Sequence, residues 1–260
     1  GQRQVAASLT LVHTRRAGAE PQRALIGRDH DALHLARLGH DAAEIPGHAR
    51  RVGVLAVDPS SPFSGGALLG DRVRMQEHAT DPGVYIRSMA TRGHLGGLAW
   101  ATPQALRVLD AAGCEVVLVE TVGVGQSEVE VAALADTTLV LLAPGMGDGI
   151  QAAKAGILEG GDVFVVNKAD RDGADQVVRD LRGAIRLAER APGDWRPPIV
   201  KAVAVRREGL DDVRSAVTKH RDWMERSGEL DLRRRRRVRD EIEAIAVTAL
   251  RQRFGDLHGD

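Results

Sequence analysis

Residues 116–128 read Val-Val-Leu-Val-Glu-Thr-Val-Gly-Val-Gly-Gln-Ser-Glu, and this stretch decides the fold prediction. Its four leading aliphatic residues predict a strand buried on both faces, as strands of a parallel sheet are. An acidic residue and two glycines follow before a helical pattern begins. A strand that passes through a glycine turn into a helix is half of a βαβ unit, so the stretch predicts a parallel α/β sheet.

The same pattern recurs along the chain from residue 51 onward. Apolar runs predict strands at 52–57, 84–87, 115–119, 138–143, 163–167 and 198–203. Helical patterns cover 4–26, 103–112, 128–135, 149–159, 174–190, 210–226 and 229–254. The prediction is an α/β fold with a doubly wound, mostly parallel sheet, an N-terminal helix and a C-terminal helical arm.

Composition narrows the range of function classes. The 260 residues carry 36 basic and 36 acidic side chains, so no net field attracts nucleic acid or an anionic membrane. The single cysteine excludes an internal disulfide and a CxxC metal site, and we expect a cytoplasmic protein. The arginine run 233–237, with Arg239, is interpreted as a solvated face of the C-terminal arm, because acidic residues follow and no aromatics interleave.

In doubly wound sheets, ligands bind where the strands end at their carboxyl side. Residues 163–170 form an apolar strand that runs into Asn-Lys-Ala-Asp. The Asp170 carboxylate can accept two hydrogen bonds from guanine, Asn167 can hold the loop or the base edge, and the Lys168 stem can cover the ring. The alternative is a strand-exit turn that carries a surface lysine.

Glu120 and Gly123 predict a γ-phosphate sensor at the second strand end. Glu120 would lie near a metal ion or the attacking water, and the Gly123 amide would face the phosphate. A plain glycine turn with a helix cap from Ser127 explains the same residues.

Asp58 and Asp71 are short carboxylates beside flexible backbone and suit a Mg²⁺ site with several bound waters. Their alternative roles are turn former and helix N-cap.

Four segments together resemble the MeaB/ArgK (MMAA-type) family of P-loop GTPases. They are AVDPSSPFSGGALLGDRVRM at 56–75, RSMATRGHLGGLA at 87–99, VETVGVGQSE at 119–128 and VVNKAD at 165–170. The resemblance implies a GTPase that uses GTP/GDP and Mg²⁺ and forms a homodimer. It also implies a chaperone of an adenosylcobalamin-dependent acyl-CoA mutase, of the methylmalonyl-CoA mutase type, that gates cofactor loading and protects the mutase.

The resemblance also implies domains and site residues. It divides the chain into an N-terminal helical segment with an atypical P-loop region (1–50), a G domain (51–226) and a C-terminal helical dimerisation arm (227–260). It places the metal and switch positions at Asp58, Asp71 and Glu120, and the guanine positions at Asn167, Lys168 and Asp170. The sequence Lys-Ala-Val-Ala at 201–204 stands where the family has a Ser-Ala pair, which leaves the Ala204 amide to face the base.

One family motif is missing from these residues. No GxxxxGK[ST] occurs, the first lysine is Lys154, and residues 27–50 instead carry four of the nine histidines. One hypothesis is a frame-shifted or otherwise altered P-loop segment. A second is a nucleotide-independent dimeric module that binds the mutase. A third is a metal-delivery G protein, in which His30 and His34, one helical turn apart, bind an ion.

Overall fold

The computed structural model describes residues 7–13, 51–59, 81–91, 101–121, 133–145, 160–187 and 191–256. The named strands are β1 (Ala7–His13), β2 (Val52–Pro59), β3 (Val84–Thr91), β4 (Val116–Thr121), β5 (Thr137–Leu142), β6 (Val163–Val166) and β7 (Ile199–Lys201). The named helices are α1 (Ala101–Ala111), α2 (Ala174–Leu187), α3 (Leu210–Ser227) and α4 (Glu229–Asp256), with a 3₁₀ turn at Ala204–Arg206. No helix among these residues is long and apolar enough to cross a membrane.

The seven strands form one sheet in the order β3-β2-β4-β1-β5-β6-β7. β2 is parallel to β3 and β4, and β6 is parallel to β5 and β7. β1 pairs antiparallel with β4 on one side and with β5 on the other. The sheet therefore consists of two parallel three-stranded halves that β1 joins.

Helices cover both faces of the sheet, which confirms the doubly wound prediction in the described residues. Alternate residues of each central strand point to opposite faces, because side chains along a strand alternate. On one face, α1 packs against β2 and β4 through Leu106 and Leu109, and α2 packs against β5 and β6. On the other face, α3 packs through Leu210 and Val213.

β1 corrects the prediction of a helix over residues 4–26. Residues 7–13 are a strand, although Val5, Leu9 and Val12 have helical spacing. The same run, Ala-Ser-Leu-Thr-Leu-Val-His, also suits a strand with Leu9 and Leu11 on one face. Pairing on both edges of β1 satisfies its backbone, and this tertiary gain outweighs a weak local helical pattern.

The six strands predicted from residue 52 onward are all present, with ends shifted by a few residues. The largest difference is at β3, which extends to Thr91 because it pairs with β2 along its whole length. The predicted helices at 128–135 and 149–159 lie almost entirely outside the described residues.

Candidate functional site

Three of the predicted site residues lie at the carboxyl edge of the sheet. Asp58 is the penultimate residue of β2, Glu120 is buried near the end of β4, and Asn167 directly follows β6. Glu120 and Asn167 are separated by β1 and β5, which is three inter-strand spacings or about 14 Å. This edge therefore carries the buried Glu120 carboxylate near the end of β4 and the Asn-Lys-Ala-Asp loop after β6.

The Asn167 side chain fixes the loop that follows β6. Its Oδ1 accepts hydrogen bonds from the Lys168 amide at 2.8 Å and from the Ala204 amide at 3.1 Å. The Asn167 amide donates to the Leu142 carbonyl of β5 at 2.7 Å. Asn167 is buried, so these bonds form away from water and hold two strand-end loops together. Of the two roles predicted for Asn167, the structure shows the one that holds the loop.

Lys168 and Asp170 follow in a tight turn. Lys168 adopts a left-handed backbone with φ of 55°, which is uncommon for a residue with a side chain. The Arg171 amide donates to the Lys168 carbonyl at 3.0 Å and closes the turn. Asp170 is exposed, and its Oδ2 lies 3.3 Å from Nη1 of Arg206. The turn thus presents the Asp170 carboxylate at the surface beside a cation.

Ala204 has a different environment from the one expected. Its amide, predicted to face a base, donates to Asn167 within the protein, and the residue is fully buried. Ala204 begins a 3₁₀ turn that a bridge between Val203 and Glu208 closes. Ala204 therefore connects the two loops, and Arg206 of the same 3₁₀ turn pairs with Asp170.

The remaining predicted site residues are not described. Asp71 and Gly123 lie outside the described residues, as do His30 and His34. Asp58 is described as part of β2, where it pairs in register with Ala90. Among the described residues, no group of three or more His, Cys, Asp or Glu side chains is placed to hold a metal ion.

A second polar cluster, at the opposite edge of the sheet, was not predicted from the sequence. Asp136 immediately precedes β5 and is fully buried, and Asp162 immediately precedes β6 and is nearly so. The Asp162 Oδ2 accepts a hydrogen bond from the Thr138 amide at 2.9 Å, and the Asp162 amide donates to the Thr138 carbonyl. Two carboxylates thus stand at the amino ends of adjacent parallel strands.

Three arginines of α4 neutralise these carboxylates. Arg233 forms a two-pronged pair with Asp162, with Nη1 and Nη2 at 2.9 and 3.0 Å from its two oxygens. Arg234 and Arg237 reach Asp136 at 2.9 and 2.6 Å. The interpretation of the whole run as a solvated face was wrong for these three residues. Their role was not predictable because the aspartates they pair with lie about 70 to 100 positions earlier.

His220 of α3 completes the cluster. Its Nδ1 lies 2.9 Å from the Thr137 hydroxyl, and its Nε2 lies 3.2 Å from Asp162 Oδ1. Trp195 and Trp223 pack beside the ring, with centroid distances of 4.9 and 5.9 Å. The Thr-His-Asp order resembles a nucleophile relay, but Thr137 and His220 have no exposed surface on which a substrate could bind. The group is therefore structural.

The arginines change the pKa of both buried carboxyls. Burial by itself would raise the pKa of Asp136, but hydrogen bonds from Arg234 and Arg237 and their charges outweigh it, so the pKa lies below its usual value. For Asp162, burial is likewise outweighed, here by His220 and Arg233, and the pKa is again lowered. Both groups are therefore ionised at neutral pH.

This lowering predicts acid lability of the arm contact. A carboxyl with a depressed folded-state pKa stabilises the fold fully above its unfolded-state pKa of about 3.9 and loses that stabilisation as pH falls through the folded value. We expect the urea midpoint to hold between pH 7 and about pH 5 and to fall below about pH 4. Asp136→Asn should lower the neutral-pH midpoint and flatten the acid decline. An equally steep decline in the variant would contradict the assignment.

Comparison with known protein families shows which family this chain belongs to. The family model described as methylmalonyl Co-A mutase-associated GTPase MeaB matches residues 37–257. The chain belongs to this family. The match begins inside the atypical stretch 27–50 and ends at residue 257, past the last described residue of α4.

Individual relatives of this MeaB-family chain agree with the assignment. A Pyrococcus abyssi protein named as a GTPase is 54% identical over 197 residues, which are 75% of this chain and 60% of that protein. GTPase ArgK of Escherichia coli is 38% identical over 183 residues, 69% of this chain and 55% of its own. The chain therefore spans less than two thirds of the length of these curated relatives.

A solved structure supports the fold of the MeaB-family chain. The crystal structure described as an LAO/AO transport system kinase superposes with a TM-score of 0.66 at 26% identity. The superposition covers 90% of this chain and 69% of that one.

Proposed function

We propose that this chain is a guanine-nucleotide-binding member of its family that serves as a chaperone of an adenosylcobalamin-dependent acyl-CoA mutase of the methylmalonyl-CoA mutase type. The observation that carries the nucleotide part is the loop after β6. The Asn167 side chain holds the backbone of this loop, and the Asp170 carboxylate is exposed at its surface. A carboxylate held in this way suits the two adjacent N–H donors of guanine and is mismatched to adenine.

The metal part of the proposal follows from donor chemistry. Glu120 is a buried carboxylate at the carboxyl edge, and Asp58 is the penultimate residue of the neighbouring strand β2. Carboxylate oxygens at such positions fit Mg²⁺, which prefers few protein ligands and several waters. Asp58, Asp71 and Glu120 would hold the ion, which when bound neutralises phosphate charge. Glu120 would also orient the attacking water, and the Gly123 amide would face the γ-phosphate.

The direction of β1 does not favour a phosphate-binding loop beside Glu120 and Asn167. β1 lies in the centre of the sheet but runs antiparallel, with Ala7 level with Leu141 and His13 level with Val116. Its carboxyl end therefore lies at the amino edge of the parallel strands, away from Glu120 and Asn167. The chain therefore leaves β1 at the edge opposite to the one where phosphates would be bound beside these residues, and no GxxxxGK[ST] occurs in the 260 residues.

This topology supports a second candidate function, a nucleotide-independent module that binds the mutase. Both candidates share the proposed homodimer. Large apolar side chains of α4 are exposed, among them Val238, Ile242, Ile245 and Leu250, at 45 to 61%. A second copy of the helix could cover such a stripe, since Val238, Ile242 and Ile245, continued by Ala249 beside Leu250, follow heptad spacing.

Calorimetric titration of the 260-residue chain with GTP and Mg²⁺ separates the two candidates. The nucleotide proposal expects binding of GTP but not ATP, weakened about 100-fold or more by Asp170→Ala, which removes two hydrogen bonds to a charged acceptor. Asp170→Asn is the matched variant, because its amide can donate to a carbonyl at the purine C2 position. The Asp170→Asn variant should lose the binding of GTP and gain the binding of xanthosine triphosphate.

The partner proposal has its own test. Purified mutase is passed over immobilised chain with GTP, with GDP and without nucleotide. A GTPase chaperone should retain the mutase to different extents in the three conditions, and the module should retain it equally. Absence of nucleotide binding in the folded protein, with mutase retained, would favour the module. Absence of both would reject the two proposals together.

A further inference from the structure

The C-terminal helix is attached to the sheet mainly by charge. Among the described side chains of α4 none is buried, and its large apolar residues are among the most exposed of the protein. At the strand layer, Arg233, Arg234 and Arg237 of α4 pair with two buried aspartates. One further ion pair, between Arg107 of α1 and Glu241, lies at the surface. We call the three arginines with Asp136 and Asp162 the arginine latch.

We propose that the arginine latch couples the docking of α4 to the conformation of the Asn167–Asp170 loop at the opposite edge of the sheet. The coupling runs through β5 and β6, which both begin at the latch and both end at the loop. This proposal rests on the geometry alone and stands whether or not the chain binds a nucleotide.

The connecting path is short and stiff. β6 is four residues long, Val163–Val166, and lies between Asp162 and Asn167. All four side chains are fully buried, Val163 and Val165 in the core on one face and Phe164 and Val166 in the core on the other. A strand packed on both faces moves as a unit, because close-packed interiors transmit displacement and do not absorb it.

β5 forms a second connection in parallel with the first. It follows Asp136 directly and ends at Leu142, whose carbonyl accepts the Asn167 amide hydrogen bond. At the latch end, the Thr138 amide and carbonyl are both bonded to Asp162. The two strands are thus hydrogen-bonded to each other at both ends, through Asp162 at the amino edge of the sheet and through Asn167 at the carboxyl edge.

Release of the latch must disturb this unit. Without Arg233, the Asp162 carboxylate keeps Thr138 and His220 but loses its two-pronged cation in a buried position. A buried carboxylate in that state moves toward water or rearranges its bonds, because desolvation of the charge is no longer offset. Either change pulls on the start of β6 and therefore on the bonds of Asn167 at its end.

Hydrogen exchange followed by mass spectrometry tests the coupling on the full chain. Arg233→Met should speed exchange in the first turns of α4 and, in addition, at the Asn167, Lys168 and Ala204 amides. We expect about fivefold or more at the loop, the lower end of typical coupling between sites. Arg236→Met is the matched control, since Arg236 lies on the same helix, is exposed, and pairs only loosely with Glu229, at 4.0 Å.

A charge-balanced variant guards against global unfolding. Asp162→Asn with Arg233→Met removes both buried charges together, so the fold is kept while the latch is broken at this point. This variant still lacks the Arg233 hydrogen bonds to residue 162 and to the Asp136 carbonyl, so it too should speed exchange at the loop, though less than Arg233→Met alone, whereas Arg236→Met should leave the loop as in the wild type. Faster exchange confined to α4 in the balanced variant, with the three loop amides unchanged, would overturn the proposal.

Discussion

Replacing Arg234 and Arg237 together with methionine is expected to lower the free energy of unfolding by about 3–5 kcal/mol, the usual result of breaking a buried ion pair on one side. Asp136 is fully buried and pairs with both arginines, at 2.9 and 2.6 Å. Methionine keeps the apolar stem of each side chain but removes the charge and the donors. Chemical denaturation at pH 7 would measure the change.

The matched control exchanges the same number of arginines on the same helix. Arg236→Met with Arg239→Met alters side chains that are 54% and 70% exposed, so a change within about 0.5 kcal/mol is expected. Adding Asp136→Asn to the Arg234 and Arg237 replacements should recover part of the loss, because the buried charge is then removed as well. If the two double variants were equally stable, the ion pairs with Asp136 would not hold the arm.

Gly209→Ala is expected to cost about 3 kcal/mol, from a left-handed backbone and a steric clash combined. Gly209 precedes α3 with φ of 75°, and a Cβ added there would lie 2.2 Å from the Lys201 carbonyl oxygen. That oxygen belongs to the backbone of β7 and cannot rotate away. The shift would also reach Ala202 and Ala204, so the loop amide bonded to Asn167 should exchange faster.

Gly228→Ala separates the two contributions. Gly228 has nearly the same φ, 77°, but a Cβ there would meet no atom within 4 Å. The substitution should therefore cost only the conformational part, about 1–2 kcal/mol. Thermal unfolding of both variants side by side would measure the difference, and equal losses would show that the contact with Lys201 is unimportant.

Sequence patterns predicted the central parallel strands well because their apolar runs are buried on both faces. β4 and β6 are the clearest cases, with every residue buried. β1 was missed because its leucines and valine fit a helical face as well as a strand. Residues 7–13 form a strand and not a helix because β1 pairs with β4 on one edge and with β5 on the other. The sequence alone does not show that β4 and β5 leave room for a strand between them.

The turn after β6 was predictable because it depends on local sequence order. Asn-Lys-Ala-Asp after an apolar strand indicated the loop, and the structure holds that loop in a tight turn. The partners of Ala204 and of the α4 arginines were not predictable, because they come from distant parts of the chain. The catalytic, metal-binding and nucleotide-binding roles of the predicted site residues all stay predictions; these residues are Asp58, Asp71, Glu120, Gly123, Asn167, Lys168, Asp170 and Ala204.

The position of β1 also sets the order in which the chain can fold. Ser8 pairs with Thr121 and Val140, both more than a hundred residues later in the chain. Until those strands exist, β1 has neither neighbour, and closing such long loops is slow. The two half-sheets can form from nearby segments first, so β1 is expected to join the sheet after the six named strands that follow it in the chain.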